Sequence, residues 1–162
     1  MSLHIRRAGP LDAAPLAELL NAIIRRGGTT AMTVELSAAG MAAWMAQSAD
    51  RSAWHLAEDD GGTMHGFQTI GPHQHLPPEA CDIATFVRIG RTGLGIGTQL
   101  FEATCAAARA LGYTWINATI RADNPGGLAY YQSRGFEDYA RKDDVALAGG
   151  LVVNQLRKRY EL

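Results

Sequence analysis

At 162 residues the chain is of one-domain size and long enough to bury a sizeable core, so residues 1–162 are expected to form one domain. Hydrophobic residues make up 47% and charged residues 19%, and a formal net charge of −1 gives no general pull toward nucleic acid or anionic lipid. No apolar run is long enough to span a bilayer, the opening MSLHIRRAGP lacks the apolar core of a signal peptide, and two cysteines without metal-ligand spacing suit a reduced, cytoplasmic setting.

Leu3 to Arg7 alternates apolar and polar residues and predicts a first strand. Pro10 and Asp12 then open a helix whose Leu16, Leu19, Leu20, Ile23 and Ile24 recur at three- and four-residue spacing, and Gly27-Gly28 ends it. Thr29 to Thr33 is a small polar loop, and Ser37 to Gln47 predicts a second helix with Met41, Trp44 and Met45 facing inward. Ala53 to Glu58 and Thr63 to Ile70 read as strands joined by a Gly-containing hairpin link, Asp59 to Gly62. Gly71 to Glu79 holds three prolines and two histidines and must be a loop. Nothing near His73 and His75 completes a zinc set, so no metal is expected.

Ile83 to Val87, rich in β-branched and aromatic residues, predicts a buried strand. It leads into RTGLGIGTQLF, where Gly93, Gly95 and Gly97 alternate just before an Ala-rich helix over Thr98 to Leu111. Glycine lets the backbone turn so that several N–H groups share one small volume, and the positive end of a helix lies beside them. Such a nest suits a phosphate; the plainer reading is a tight strand-to-helix turn with no ligand. The dinucleotide pattern fails, because Thr98 stands where its third glycine belongs, and no Gly-Lys-Ser/Thr completes a nucleotide P-loop. Tyr113 to Ile120 is the next strand, Asn124-Pro125 starts a short helix that stops at Gly135, and two strands follow over Phe136 to Arg141 and Leu151 to Tyr160. The order implies a mixed α/β fold, a sheet flanked by helices.

Residues Thr92 to Gly97 resemble motif A of the GNAT superfamily of N-acetyltransferases, with Thr92 where the family usually has Gln or Arg and Arg91 directly beside it. Asn124 to Phe136, NPGGLAYYQSRGF, resembles motif B of the same superfamily: an Asn begins a helix, a Tyr follows seven residues later, and Gly-Phe closes it. Both motifs occur in the right order, and the element order fits from residue 3 to 160. The resemblance implies a sheet of about six to seven strands, splayed at its central pair and flanked by about four helices. It also implies acetyl-CoA as donor, held by the backbone of Thr85, Phe86 and Val87, by the N–H groups of Gly93, Leu94, Gly95, Ile96, Gly97 and Thr98, and by Asn124 from across the splay. For Asn124 a plain helix cap is the alternative, and for Thr85 and Phe86 core packing.

In this reading Tyr131 is the general acid, since a phenol with a pKa of about 10 can protonate a departing thiolate whose own value is roughly 8.5. Tyr130 lies about 100° away around the helix and is read as packing. The general base is left open between Asp82, Glu79 and ordered water, because Thr119 stands where other members carry a Glu. That absence counts against a protein N-terminal acetyltransferase of the ribosomal kind. Thr29, Thr30 and His75, with His73, are expected near the acceptor mouth. The short GGTTA segment also resembles phosphinothricin-type acetyltransferases, although Thr29 and Thr30 could equally order a turn. The expected reaction is acetyl transfer to the primary amine of a small molecule, amino-acid-like or polyamine-like, in a ternary complex. The rivals are a non-catalytic acyl-CoA-binding module, a peptide or protein acceptor, and a longer acyl donor. Dimerisation is common in the family, so a homodimer is the assembly the resemblance allows.

Overall fold

The computed structural model describes residues 2–162. Seven strands form a sheet in the order β1-β2-β3-β4-β5-β7-β6: β1 Leu3–Arg7, β2 Ala53–Asp59, β3 Met64–Gly71, β4 Ala80–Val87, β5 Trp115–Arg121, β6 Glu137–Ala146 and β7 Val152–Glu161. Four helices flank it: α1 Ala13–Arg26, α2 Ala38–Ala46, α3 Ile96–Ala110 and α4 Pro125–Ser133. Among the described residues, no helix is long and apolar enough to cross a membrane.

Local chemistry accounts for the ends of these elements. Helix α1 stops at Gly27, whose φ of +72° favours glycine and whose N–H closes on Ile23. Helix α2 starts where the Ser37 hydroxyl accepts the N–H of Gly40. The β2–β3 hairpin turns on Asp59, whose Oδ1 accepts the N–H groups of Gly61 and Thr63 at 2.9 and 3.0 Å. Two boundaries differ most from expectation. Strand β4 begins at Ala80, three residues early, because those residues find partners on β5. Strand β6 runs on to Ala146, so the polar connection after Arg141 is mostly strand.

Helices α1 and α2 cover one face of the β2–β4 half. There Leu56, Phe67 and Phe86 form a row in register across three strands, each buried side chain worth about 1.5–3 kcal/mol. Helices α3 and α4 cover the opposite face, where Ile83, Phe101, Ile116, Tyr131 and Phe136 meet. No described helix covers the α1 side of β5, β7 and β6, and that face is polar: Asn117, Thr119 and Arg121 stand in register with Arg159, Arg157 and Gln155.

The sheet splits in its middle. Strands β4 and β5 are its one parallel pair, and they share three rungs: Ala80 with Trp115, Cys81 with Ile116 and Asp82 with Asn117. Past that point β4 stays paired with β3 out to Val87, and β5 stays paired with β7 out to Arg121, so the two halves part. The splayed central pair and the seven-stranded mixed sheet agree with the expected fold.

Candidate active site

The split opens a cleft of about 1360 Å³. Residues 82 to 87 line it without interruption, although neighbours on a strand point to opposite faces. That is a property of a free edge: the cleft passes through the sheet instead of lying on one side. Beyond Asp82 the edge of β4 facing β5 has no strand partner, which leaves backbone N–H and C=O groups available to a ligand.

On the α3 side lies the glycine turn. Gly93 and Gly95 have φ of +82° and +77°, and a Cβ added at either would meet nothing within 4 Å. These glycines are therefore demanded by backbone conformation and not by crowding. The third differs: a Cβ on Gly97 would lie 2.6 Å from Cε1 of Tyr130. Helix α3 starts earlier than Thr98, and its first internal bond runs from Gln99 N–H to Gly95 C=O at 3.2 Å. The N–H groups of Ile96, Gly97 and Thr98 thus precede the helical ladder and stay free for an anion. Leu94 is exposed and, unlike Gly93 and Gly95 on either side of it, lies outside the cleft lining.

Sequence reasoning missed Arg134 in this corner. Its Nη1 donates to Thr98 Oγ1 at 2.8 Å, while its buried Nε has no partner. A buried guanidinium donor without an acceptor, free helix N–H groups and open space above two glycines together fit a phosphate-bearing donor.

Tyr131 sits where α4 meets the free edge. Its hydroxyl is 2.8 Å from Thr85 Oγ1, which also accepts from Gln68 Nε2 at 2.9 Å. Burial pushes the phenol above its ordinary value, with the Thr85 contact pulling the other way, so Tyr131 stays protonated across the working range. Tyr130 has its hydroxyl committed: it donates to the Gly97 carbonyl at 2.8 Å and accepts from Gln68 Nε2 at 3.1 Å.

On the opposite side, Asp82 occupies the apex of the split. Asn117 Nδ2 donates to Asp82 Oδ1 at 2.8 Å and to Thr119 Oγ1 at 3.1 Å, and Tyr139 donates to Asn117 Oδ1. Burial raises the Asp82 carboxyl above the usual carboxylate range, against the Asn117 hydrogen bond and the charges of His73 and Arg157. Glu79, its rival, ends the Pro-rich loop, exposed and outside this cleft.

Asn124 caps α4, accepting the Gly127 N–H at 3.0 Å, and its Nδ2 donates to the Thr29 carbonyl at 3.1 Å. The α1–α2 loop is thereby tied to the cleft. Thr30 adds a second tie, its carbonyl accepting from Arg121 at 3.2 Å, while its hydroxyl accepts the Met32 N–H and orders the turn. Both threonines and His75 line the cleft, with the His73 and His75 rings 5.3 Å apart at its mouth. The register also brings in Arg121, Lys142, Gln155 and Arg157, which sequence reasoning did not single out.

The family model described as acetyltransferase (GNAT) family matches residues 18–136. The chain belongs to the GNAT acetyltransferase family. Within it, the chain is 30% identical over 142 residues to the L-methionine sulfoximine/L-methionine sulfone acetyltransferase of Pseudomonas aeruginosa, covering 85% of this chain and 81% of that protein. The corresponding enzyme of Pseudomonas paraeruginosa is 29% identical over the same coverage. Among solved GNAT structures, the phosphinothricin acetyltransferase of Sinorhizobium meliloti in complex with acetyl-CoA superposes with a TM-score of 0.88 at 19% identity, covering 100% of this chain and 89% of that one. The ribosomal-protein-alanine N-acetyltransferase of Brucella melitensis gives 0.88 at 22% identity, covering 98% and 99%. These two likenesses establish the shared GNAT fold and no more, since proteins with different acceptors superpose equally well.

Proposed function

We propose that this GNAT domain transfers an acetyl group from acetyl-CoA to the primary amine of a small, amino-acid-like molecule, by direct attack in a ternary complex. The observation that carries this reading is a cleft that crosses the sheet at the free edge of β4, with Tyr131 on one side and Asp82 on the other. The Pseudomonas relatives, whose names specify small amino-acid derivatives, support the acceptor class.

The N–H groups of Ile96, Gly97 and Thr98, with those of the Gly93–Gly95 turn and the unpartnered Arg134 Nε, would hold the donor's phosphates. Backbone groups of Thr85 to Val87 would align its arm as an added strand, and Asn124 would face it from across the split. Bound there, acetyl-CoA supplies an electrophilic thioester carbonyl and a thiolate leaving group. Asp82 takes the proton that an incoming ammonium must lose; its raised pKa narrows the mismatch with an amine of about 10.4. Thr85 already accepts from Gln68, so its own hydrogen can go to the Tyr131 oxygen. That arrangement leaves the Tyr131 hydrogen uncommitted and able to protonate the departing sulfur.

The test is thiol release from acetyl-CoA across amino acids, their sulfone and sulfoximine derivatives, polyamines and short peptides. Release with amino-acid-like amines is expected. Release with peptides alone would overturn the acceptor class, and donor binding without release under any acceptor would favour a binding module.

A further inference from the structure

Three cations line the acceptor part of the cleft without a carboxylate partner: Arg26, Lys142 and Arg157. Among the described residues none of them forms an ion pair or donates a side-chain hydrogen bond, whereas Arg121 beside them is committed to Asp123 through two contacts of 2.9 and 2.7 Å. Arg157 is the central one. It stands opposite Thr119 on β5 and opposite Ala140 on β6, on the same face as Asn117 and Asp82. Thr119 lies about 7 Å along the strand from Asn117. The Arg157 charge therefore sits close enough to act on Asp82, yet the two side chains do not pair. Arg157 is half-buried, lines the same cleft as Asp82 and does not pair with it, which leaves its guanidinium available to an anion in that cleft.

Given the transfer reaction read above, we propose that Arg157 holds the α-carboxylate of the acceptor, with Lys142 as a second cation at the exposed rim, so that the acceptor is an α-amino acid and not a polyamine. An α-amino acid carries its ammonium and its carboxylate on one carbon, so it offers one charged group to Asp82 and one to Arg157, which line the same cleft. A polyamine would place its remaining ammonium groups among three unneutralised cations and be repelled. The guanidinium fork matches a carboxylate in two parallel hydrogen bonds, which a carboxamide cannot accept in the same way.

The test pairs each amino acid of a panel, L-methionine sulfone included, with its carboxamide and with the amine left when its carboxyl group is removed. The unmodified protein should prefer the best amino acid over both partners by about tenfold or more in kcat/KM. Arg157→Gln should bring that ratio to within about threefold of unity, chiefly through a higher KM for the amino acid, and Arg157→Lys should retain part of the preference. Unmodified protein that acetylates carboxyl-free amines or spermidine as well as any amino acid would overturn the inference while leaving acetyl transfer intact. So would a folded Arg157→Gln protein that keeps the full preference, folding being read from its melting and donor binding. Absence of thiol release with every acceptor would instead remove the reaction itself.

Discussion

Asp82 and Asn117 form the last rung that β4 and β5 share, and the Asn117 amide donates to the Asp82 carboxyl across it at 2.8 Å. The rung that ends the pairing thus also holds the proposed base at the apex of the split. Its amide contact is retained if the carboxylate becomes an amide, which makes Asp82→Asn a clean probe.

Burial raises the Asp82 pKa in the folded chain above the unfolded value of about 3.9. A group shifted this way adds stability below its unfolded pKa and loses it as pH rises through the folded one. Wherever Asp82 is ionised the native chain carries an unfavourable buried charge, so Asp82→Asn should melt at the same temperature or a few degrees higher, the lead shrinking as pH falls toward 4. Turnover should drop about 10²- to 10⁴-fold, with loss of the acidic limb of kcat/KM. A variant that turns over normally would remove Asp82 as base.

Tyr131→Phe takes away one hydroxyl and leaves the ring packed against Phe136. Turnover should fall about 10²-fold or more, with acetyl-CoA affinity within about threefold of the parent by calorimetry. Equal losses in affinity and turnover would point to a packing role instead.

The two motifs meet at Gly97 and Tyr130. Because a Cβ on Gly97 would collide with the Tyr130 ring, Gly97→Ala should destabilise by about 1–3 kcal/mol in chemical denaturation. Adding Tyr130→Leu should recover part of that loss, giving a coupling above about 0.5 kcal/mol. Strict additivity would mean the helices yield and the contact is dispensable.

Gly95 makes a contrasting demand. Its φ of +77° penalises a β-carbon by roughly 1–2 kcal/mol although the space beside it is open, and Asn tolerates this region better than Ala. Gly95→Asn should therefore be more stable than Gly95→Ala, and both should bind acetyl-CoA more weakly than the parent. Undiminished binding in both would displace the cradle from this turn.

Cys81 and Cys105 are free and buried, and burial pushes the Cys81 thiol up to about 12. Neither should react with a thiol reagent in the native protein, and both should react in denaturant. Prompt labelling of the folded chain would contradict the packing of β4 against α3.

Much of this is legible in the amino-acid sequence. Alternating glycines, an Asn-Pro helix start and a Gly-Phe stop each answer a local backbone demand, so they show in the letters. The start of β4 did not show, because Ala80 to Asp82 follow a Pro-rich loop and become strand through pairing with distant β5. The end of β6 was hidden by two register shifts, between Asp138 and Ala140 and between Lys142 and Val145, which break the alternation of inward and outward residues. Near the second shift Asp144 has φ of +55° and its N–H is taken up by Asn154. Arg157 and Lys142 escaped notice for a related reason. Which face they occupy is decided by the register of strands joined across that irregular hairpin, and no short window contains it. Gly97 answers a further demand that no short window shows: whatever its N–H binds, its missing side chain makes room for a tyrosine on another helix.

Alternation along β4 has an evolutionary consequence. Asp82 and Ala84 look toward the acceptor half, while Ile83 and Thr85 look toward α3 and α4, all within one short strand. On the proposed reading, mutation at Ala84, and at positions of β5 and β7 on the same face, would retune which amine is chosen without disturbing the machinery that grips the donor. A lineage built on this strand can change its diet while keeping its currency.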